Sequence, residues 1–264
     1  MPTMPQNDIL TTEELSVEFG GLKALSRVSI RVGKGEILAV IGPNGAGKTT
    51  FFNAITGTYR PSGGAVFLNG ERITGLPSHE IARRGVARTF QNLKPFAEMT
   101  VTENVLVGRE IHFRAGLLSS VMRGSRFRDD ERRHRERARE LVEFVGLGHR
   151  RSTLARDLTY GEQKMLEIAR ALAMEPRLLL LDEPVAGMNP TETSFVMELV
   201  RKVQAQGITV LLIEHDMRMV MGISERIYVL DHGELIACGT PDEVRSNPQV
   251  IVAYLGGGKN ASAH

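Results

Sequence analysis

The sequence predicts an α/β fold with an N-terminal antiparallel β subdomain and an inserted helical subdomain. Three observations carry this. An apolar run, Ile37–Ile41, leads into Gly42-Pro43-Asn44-Gly45-Ala46-Gly47-Lys48-Thr49, which fits G-x-x-x-x-G-K-[ST] at every fixed position. A second apolar run, 178–181, ends in Asp182 and Glu183. Between the two, residues 92–157 give up strand alternation for helical signals.

The elements follow in order. Leu15, Val17 and Phe19 alternate with polar neighbours, as do Val28 and Ile30, so residues 10–41 read as short strands. Residues 65–68, Asn69-Gly70 and 72–73 read as a hairpin with a type I′ turn. Residues 77–84 form a short helix stopped by Gly85. Thr100 and Glu103 frame a capping box that opens a helix. Residues 138–145 are another helix, ended by Gly146, after an arginine-rich stretch over 114–137. Residues 162–173 are helical and 178–181 are a buried strand. Asn189-Pro190 starts a helix that Gly207 closes. Residues 208–213, 227–230 and 235–238 are strands, the last two around Asp231-His232-Gly233. Thr240 and Glu243 cap a C-terminal helix, and the tail 256–264 reads as disordered. One domain, 1–264, is expected: a core of 1–91 and 158–255, with 92–157 inserted.

The glycine loop sits at a strand-to-helix turn, where backbone N–H groups and the positive end of a helix dipole meet phosphate oxygens. Gly42, Pro43, Asn44, Gly45, Ala46, Gly47 and Thr50 would form or flank that cradle. Lys48 would reach the β- and γ-phosphates, and the Thr49 hydroxyl would ligate Mg²⁺. Adjacent side chains of a strand point to opposite sides, so Asp182 and Glu183 divide the labour. Asp182 belongs to the Mg²⁺ shell, directly or through a water, and Glu183 is the general base that polarises water. Thr159-Tyr160-Gly161-Glu162 opens a helix with a hydroxyl, a glycine and a capping box, a second anion-binding device.

This order of motifs resembles the ATP-binding subunit of ABC transporters, whose fold is a P-loop NTPase core with a β subdomain and a helical subdomain. The usual signature there is Leu-Ser-Gly-Gly-Gln. Here Thr159 replaces the serine, Tyr160 the first glycine and Glu162 the glutamine, while Gly161 is kept. The resemblance covers nearly the whole chain. It implies that Phe19 stacks on adenine and that Gln91 senses Mg²⁺ and the γ-phosphate. It makes His215 the switch histidine and 186–189 the subunit-contacting loop, with Asn189 where many members carry aspartate. It also implies ATP and Mg²⁺ as ligands, with ATP sandwiched between two head-to-tail ATP-binding subunits, alike or different.

Several segments narrow the likeness to branched-chain amino acid importers: 19–24, 88–91, 160–163, 214–217 and 253–256. That implies two transmembrane permeases, a periplasmic solute-binding protein, no nucleic acid, and a peripheral place on the cytoplasmic face of the inner membrane. The alternatives are a lipopolysaccharide-export ATPase and a soluble ATP switch of the same family.

Composition agrees with these expectations. The net charge of +2 gives no nucleic-acid signature. A single cysteine, Cys238, forbids an internal disulfide and suggests a reducing compartment. Neither a secretory leader nor an apolar run of about 20 residues is visible, so a membrane role would be played from outside the bilayer. A GTP switch would need an Asn-Lys-x-Asp segment, which is absent. A module that merely holds ATP would have no use for Glu183. The arginines at 123, 126, 128, 132, 133, 135, 137 and 139 interleave with acids. They read as a solvated helical face of i,i+4 ion pairs, with a basic surface for lipid headgroups or a permease loop as the rival.

Overall fold

A computed structural model describes residues 7–89, 95–112 and 125–256. The chain divides into two compact units, Met1–Val86 with Arg177–His264, and Ala87–Pro176.

The first unit opens with strands β1 (Asp8–Phe19), β2 (Leu22–Val28), β3 (Arg31–Gly33) and β4 (Ile37–Ile41), then helix α1 (Lys48–Ile55), β5 (Gly63–Leu68), β6 (Glu71–Arg72) and α2 (Ser78–Arg83). An antiparallel sheet runs β2-β1-β5-β6, and β3 pairs with the start of β1. Asn69 and Gly70 take φ of 49° and 82°, the left-handed pair that a type I′ turn demands. Strand β7 (Val86–Arg88) spans the division between the units.

The second unit is helical: α3 (Val101–Gly108), α4 (Ser125–Phe144) and α5 (Tyr160–Leu172). Thr100 and Thr159 carry complete capping boxes at the starts of α3 and α5. The unit reaches beyond the expected 92–157 because α5 buries Met165, Leu166, Ile168 and Ala169 and packs on α3 and α4. Helix α4 also starts well before residue 138. Its arginine-rich turns hold themselves through Arg132–Glu136, Arg135–Glu131, Arg133–Asp130 and Arg137–Glu140 pairs at i,i+3 and i,i+4.

The chain then re-enters the first unit through β8 (Leu178–Asp182), α6 (Pro190–Ala205), β9 (Thr209–Ile213), α7 (Met217–Ile223), β10 (Arg226–Asp231), β11 (Glu234–Gly239), α8 (Pro241–Ser246) and α9 (Pro248–Gly256). Helix α7 was not expected from sequence. It is short, and its apolar face (Met219, Val220 and Ile223) is buried by tertiary packing. The tail after Gly256 lies outside the described residues.

Within this unit the central sheet runs β11-β10-β4-β9-β8, parallel except at β11. Strands β4, β8 and β9 are buried at every position, as parallel strands covered on both faces must be. Register sets the site. Val40 lies opposite Ile213, and Ile213 opposite Asp182. The segments that follow these three residues therefore leave the sheet side by side at the carboxyl ends of the strands, where ligands bind in such folds.

Candidate functional site

The glycine loop joins β4 to α1. Two of its glycines are dictated by space. Gly42 has φ 153°, and a Cβ there would stand 2.1 Å from the Leu230 carbonyl oxygen. Gly47 has φ 99°, and its Cβ would stand 2.6 Å from the Ala24 oxygen. Gly47 begins α1 with no side-chain cap, and the first turn of α1 holds no acidic residue. Helices α3, α5, α6 and α8 all begin with capping boxes. The start of α1 is thus built to offer its N–H groups to an acceptor from outside the helix, which fits a phosphate.

Lys48 is buried, and its Nζ donates to the carbonyl oxygens of Gly42 (2.6 Å) and Pro43 (2.9 Å). An ammonium has three donors, so one remains to turn outward. Burial pulls the Lys48 pKa below the ordinary lysine value, against the opposing pull of the Glu183 and Asp182 carboxylates. Those two acids therefore share the lysine's electrostatic surroundings. Thr49 is exposed and Thr50 half-buried on the first turn of α1, with Asn44 and Gly45 exposed on the loop.

Asp182 ends β8 and is 2 % exposed. Glu183 follows at φ 48°, in the left-handed region, with its N–H donated to the Ile213 oxygen at 2.9 Å. Its Oε1 lies 3.7 Å from His215 Nδ1, a pair that becomes ionic when the imidazole is protonated. The next loop turns at Gly187 (φ 75°), and Asn189 caps α6 by accepting from Thr191 N and Glu192 N. Phe19 is 45 % exposed at the end of β1 and meets Tyr59 edge-on, centroids 5.1 Å apart.

In the second unit, Thr159 Oγ1 accepts from Glu162 N at 3.3 Å, and Glu162 Oε2 accepts from Thr159 N at 2.9 Å. Glu162 Oε1 accepts from Arg150 Nε at 2.9 Å. These donors hold the Glu162 carboxyl below its usual range against its own desolvation, the largest single influence. Both its oxygens are engaged locally, so Glu162 shapes the segment. Tyr160 is exposed, with Lys164 Nζ 5.8 Å from its ring centre. Gln91 lies outside the described residues.

Sequence reasoning assigned no role to three residues. Tyr59 shares the aromatic surface with Phe19. Tyr254, on α9, lies close to the Gly42 backbone, while burial pushes its own pKa up to about 12. Glu214 is fully buried and accepts from Val185 N (3.0 Å), His215 N (2.8 Å) and Asp216 N (3.1 Å). Burial raises its pKa, opposed by those three donors. Each depends on a contact distant in sequence, so no local pattern could have signalled it.

Known proteins resemble this chain over most of its length. A family model described as ABC transporter matches residues 25–186, and one described as branched-chain amino acid ATP-binding cassette transporter matches residues 234–260. The chain is 48 % identical over 249 residues to the high-affinity branched-chain amino acid transport ATP-binding protein BraF of Pseudomonas aeruginosa, covering 94 % of this chain and 98 % of that protein. It is 38 % identical over 248 residues to the lipopolysaccharide export system ATP-binding protein LptB of Haemophilus influenzae, covering 94 % and 97 %. Among solved structures, the ADP conformation of an ATP-binding cassette of an ABC transporter matches with a TM-score of 0.82 at 36 % identity, covering 94 % and 99 %.

Proposed function

Because this chain belongs to the ABC transporter family, we propose that it is the ATP-binding and hydrolysing subunit of an importer for branched-chain or related amino acids. The observation that carries the hydrolytic reading is the shared carboxyl end of strands β4, β9 and β8. It brings the uncapped start of α1, Lys48, Asp182, Glu183 and His215 to one place.

The loop amides and Lys48 bind the phosphates, and Phe19 with Tyr59 offers rings for the base. Glu183 takes a proton from the attacking water, and His215 orients Glu183 and the γ-phosphate. Thr49 and Asp182, with Gln91, would hold Mg²⁺, which supplies charge neutralisation at the phosphates. Thr159 and Gly161 supply donors to an ATP held by a second ATP-binding subunit, alike or different. Such an ATP has contacts to make only in the closed pair, so it favours closure, and its hydrolysis releases it.

Two permeases and a periplasmic solute-binding protein complete the assembly, with this chain peripheral on the cytoplasmic face. No helix among the described residues is long and apolar enough to cross a membrane. The cargo class rests on the higher likeness to the branched-chain amino acid relative and on the C-terminal family match.

The experiment is Glu183→Gln. ATP affinity should be kept while phosphate release falls about 100-fold or more. Release at near wild-type rate would refute Glu183 as the base.

A further inference from the structure

Glu214 directly follows β9 and is fully buried. A carboxylate in such a place is costly unless donors surround it. Its donors come from two different segments. Oε1 takes the N–H of Val185, two residues beyond Glu183. Oε2 takes the N–H groups of His215 and Asp216. Strands β8 and β9 run parallel with Asp182 opposite Ile213, so both segments leave the sheet together. Glu183 meanwhile holds a left-handed backbone, which a side-chain-bearing residue keeps only when its surroundings over-determine it.

We propose that Glu214 is a positioning residue for ATP hydrolysis. One carboxylate oxygen holds the segment carrying Glu183 and the other holds the segment carrying His215. The span of one side chain thereby fixes the 3.7 Å spacing between the base and the switch histidine. This rests on the hydrolytic reading above and adds a residue that acts through Glu183 and His215. Glutamine at 214 would keep the volume but turn an NH₂ donor toward backbone donors, releasing one segment. Aspartate would keep the charge but, one methylene shorter, could not span both.

The test uses the full-length chain as wild type, Glu214→Gln, Glu214→Asp, His215→Ala and the Glu214→Gln/His215→Ala double variant. Binding of a fluorescent ATP analogue without Mg²⁺ counts competent sites, and phosphate release with Mg-ATP is expressed per site. Both Glu214 variants should bind within about twofold of wild type and lose about tenfold or more in kcat, with KM little changed. The double variant should lose no more than about threefold beyond the worse single change, because the residues act as one unit. If glutamine prevents folding, the aspartate variant decides. Turnover per site within about twofold of wild type overturns the proposal. So does a parallel loss of binding and turnover, which would mark general core support. A wild-type protein that binds ATP but releases no phosphate, even when mixed with a second, distinct ATP-binding subunit of the same family, would instead bring down the hydrolytic reading, and the clamp with it.

Discussion

Helix α1 in the first unit begins at Gly47 with no side-chain cap, whereas α5 in the second begins at Thr159 with a reciprocal box closed by Glu162 and braced by Arg150. Every helix leaves N–H groups unpaired at its start. In α5 the answer is local, made by residues three positions apart. In α1 it is deferred, and the loop ahead of it is shaped by distant backbone at Leu230 and Ala24. On the reading proposed above, a phosphate site is made by withholding a cap and fixing the loop from outside. A pre-shaped segment such as the start of α5 can be complete before any ligand arrives.

The harshest way to break this contrast is Gly42→Ala. The added methyl would sit against the Leu230 oxygen at a positive φ. A loss of about 2–4 kcal/mol is expected, with ATP binding abolished, as read by denaturant unfolding and nucleotide titration. Unaltered binding would mean the loop is not shaped from outside.

Lys48 sharpens the same side. The ammonium binds phosphate and the neutral amine does not. Burial lowers the pKa of Lys48 from the ordinary 10.5. ATP affinity should therefore hold at neutral pH and fall as pH rises through that lowered value, earlier than an exposed lysine would allow. Bound phosphate favours the charged form, so the fall begins at the lowered value of the free protein and continues up to the higher value of the complex. Affinity measured across alkaline pH checks it, and a flat profile up to 10.5 would count against the assignment.

Thr159→Ala tests the other side. It should cost about 1 kcal/mol in stability, the usual worth of a helix cap. A cost rivalling that of Gly42→Ala would mean that α5 is not self-sufficient. Smallest of all is Arg132→Gln on α4. Its pair with Glu136 is exposed, so unfolding should move by no more than about 0.5 kcal/mol. Unchanged association with anionic vesicles would leave the solvated-face reading of this helix standing.

The capping boxes at Thr100, Thr159 and Thr240, the Asn189 cap, the Asn69-Gly70 turn and the glycine loop were all legible from residue order. Each obeys rules that act across two to eight positions, where chain connectivity guarantees the encounter. The apolar runs at β4, β8 and β9 were legible for a related reason, since burial on both faces leaves no polar alternation.

Other features needed the chain to fold back on itself. The box at Thr159 was readable, but the Arg150 that engages Glu162 from twelve residues away was not. Tyr59 finds Phe19, and Tyr254 finds Gly42, only across the first unit. Glu214 meets Val185 twenty-nine residues upstream because β8 and β9 lie in register. Hydrogen bonds fall off within an ångström or so of their optimum. Partners remote in sequence are therefore chosen by strand order and register, which composition and spacing leave open.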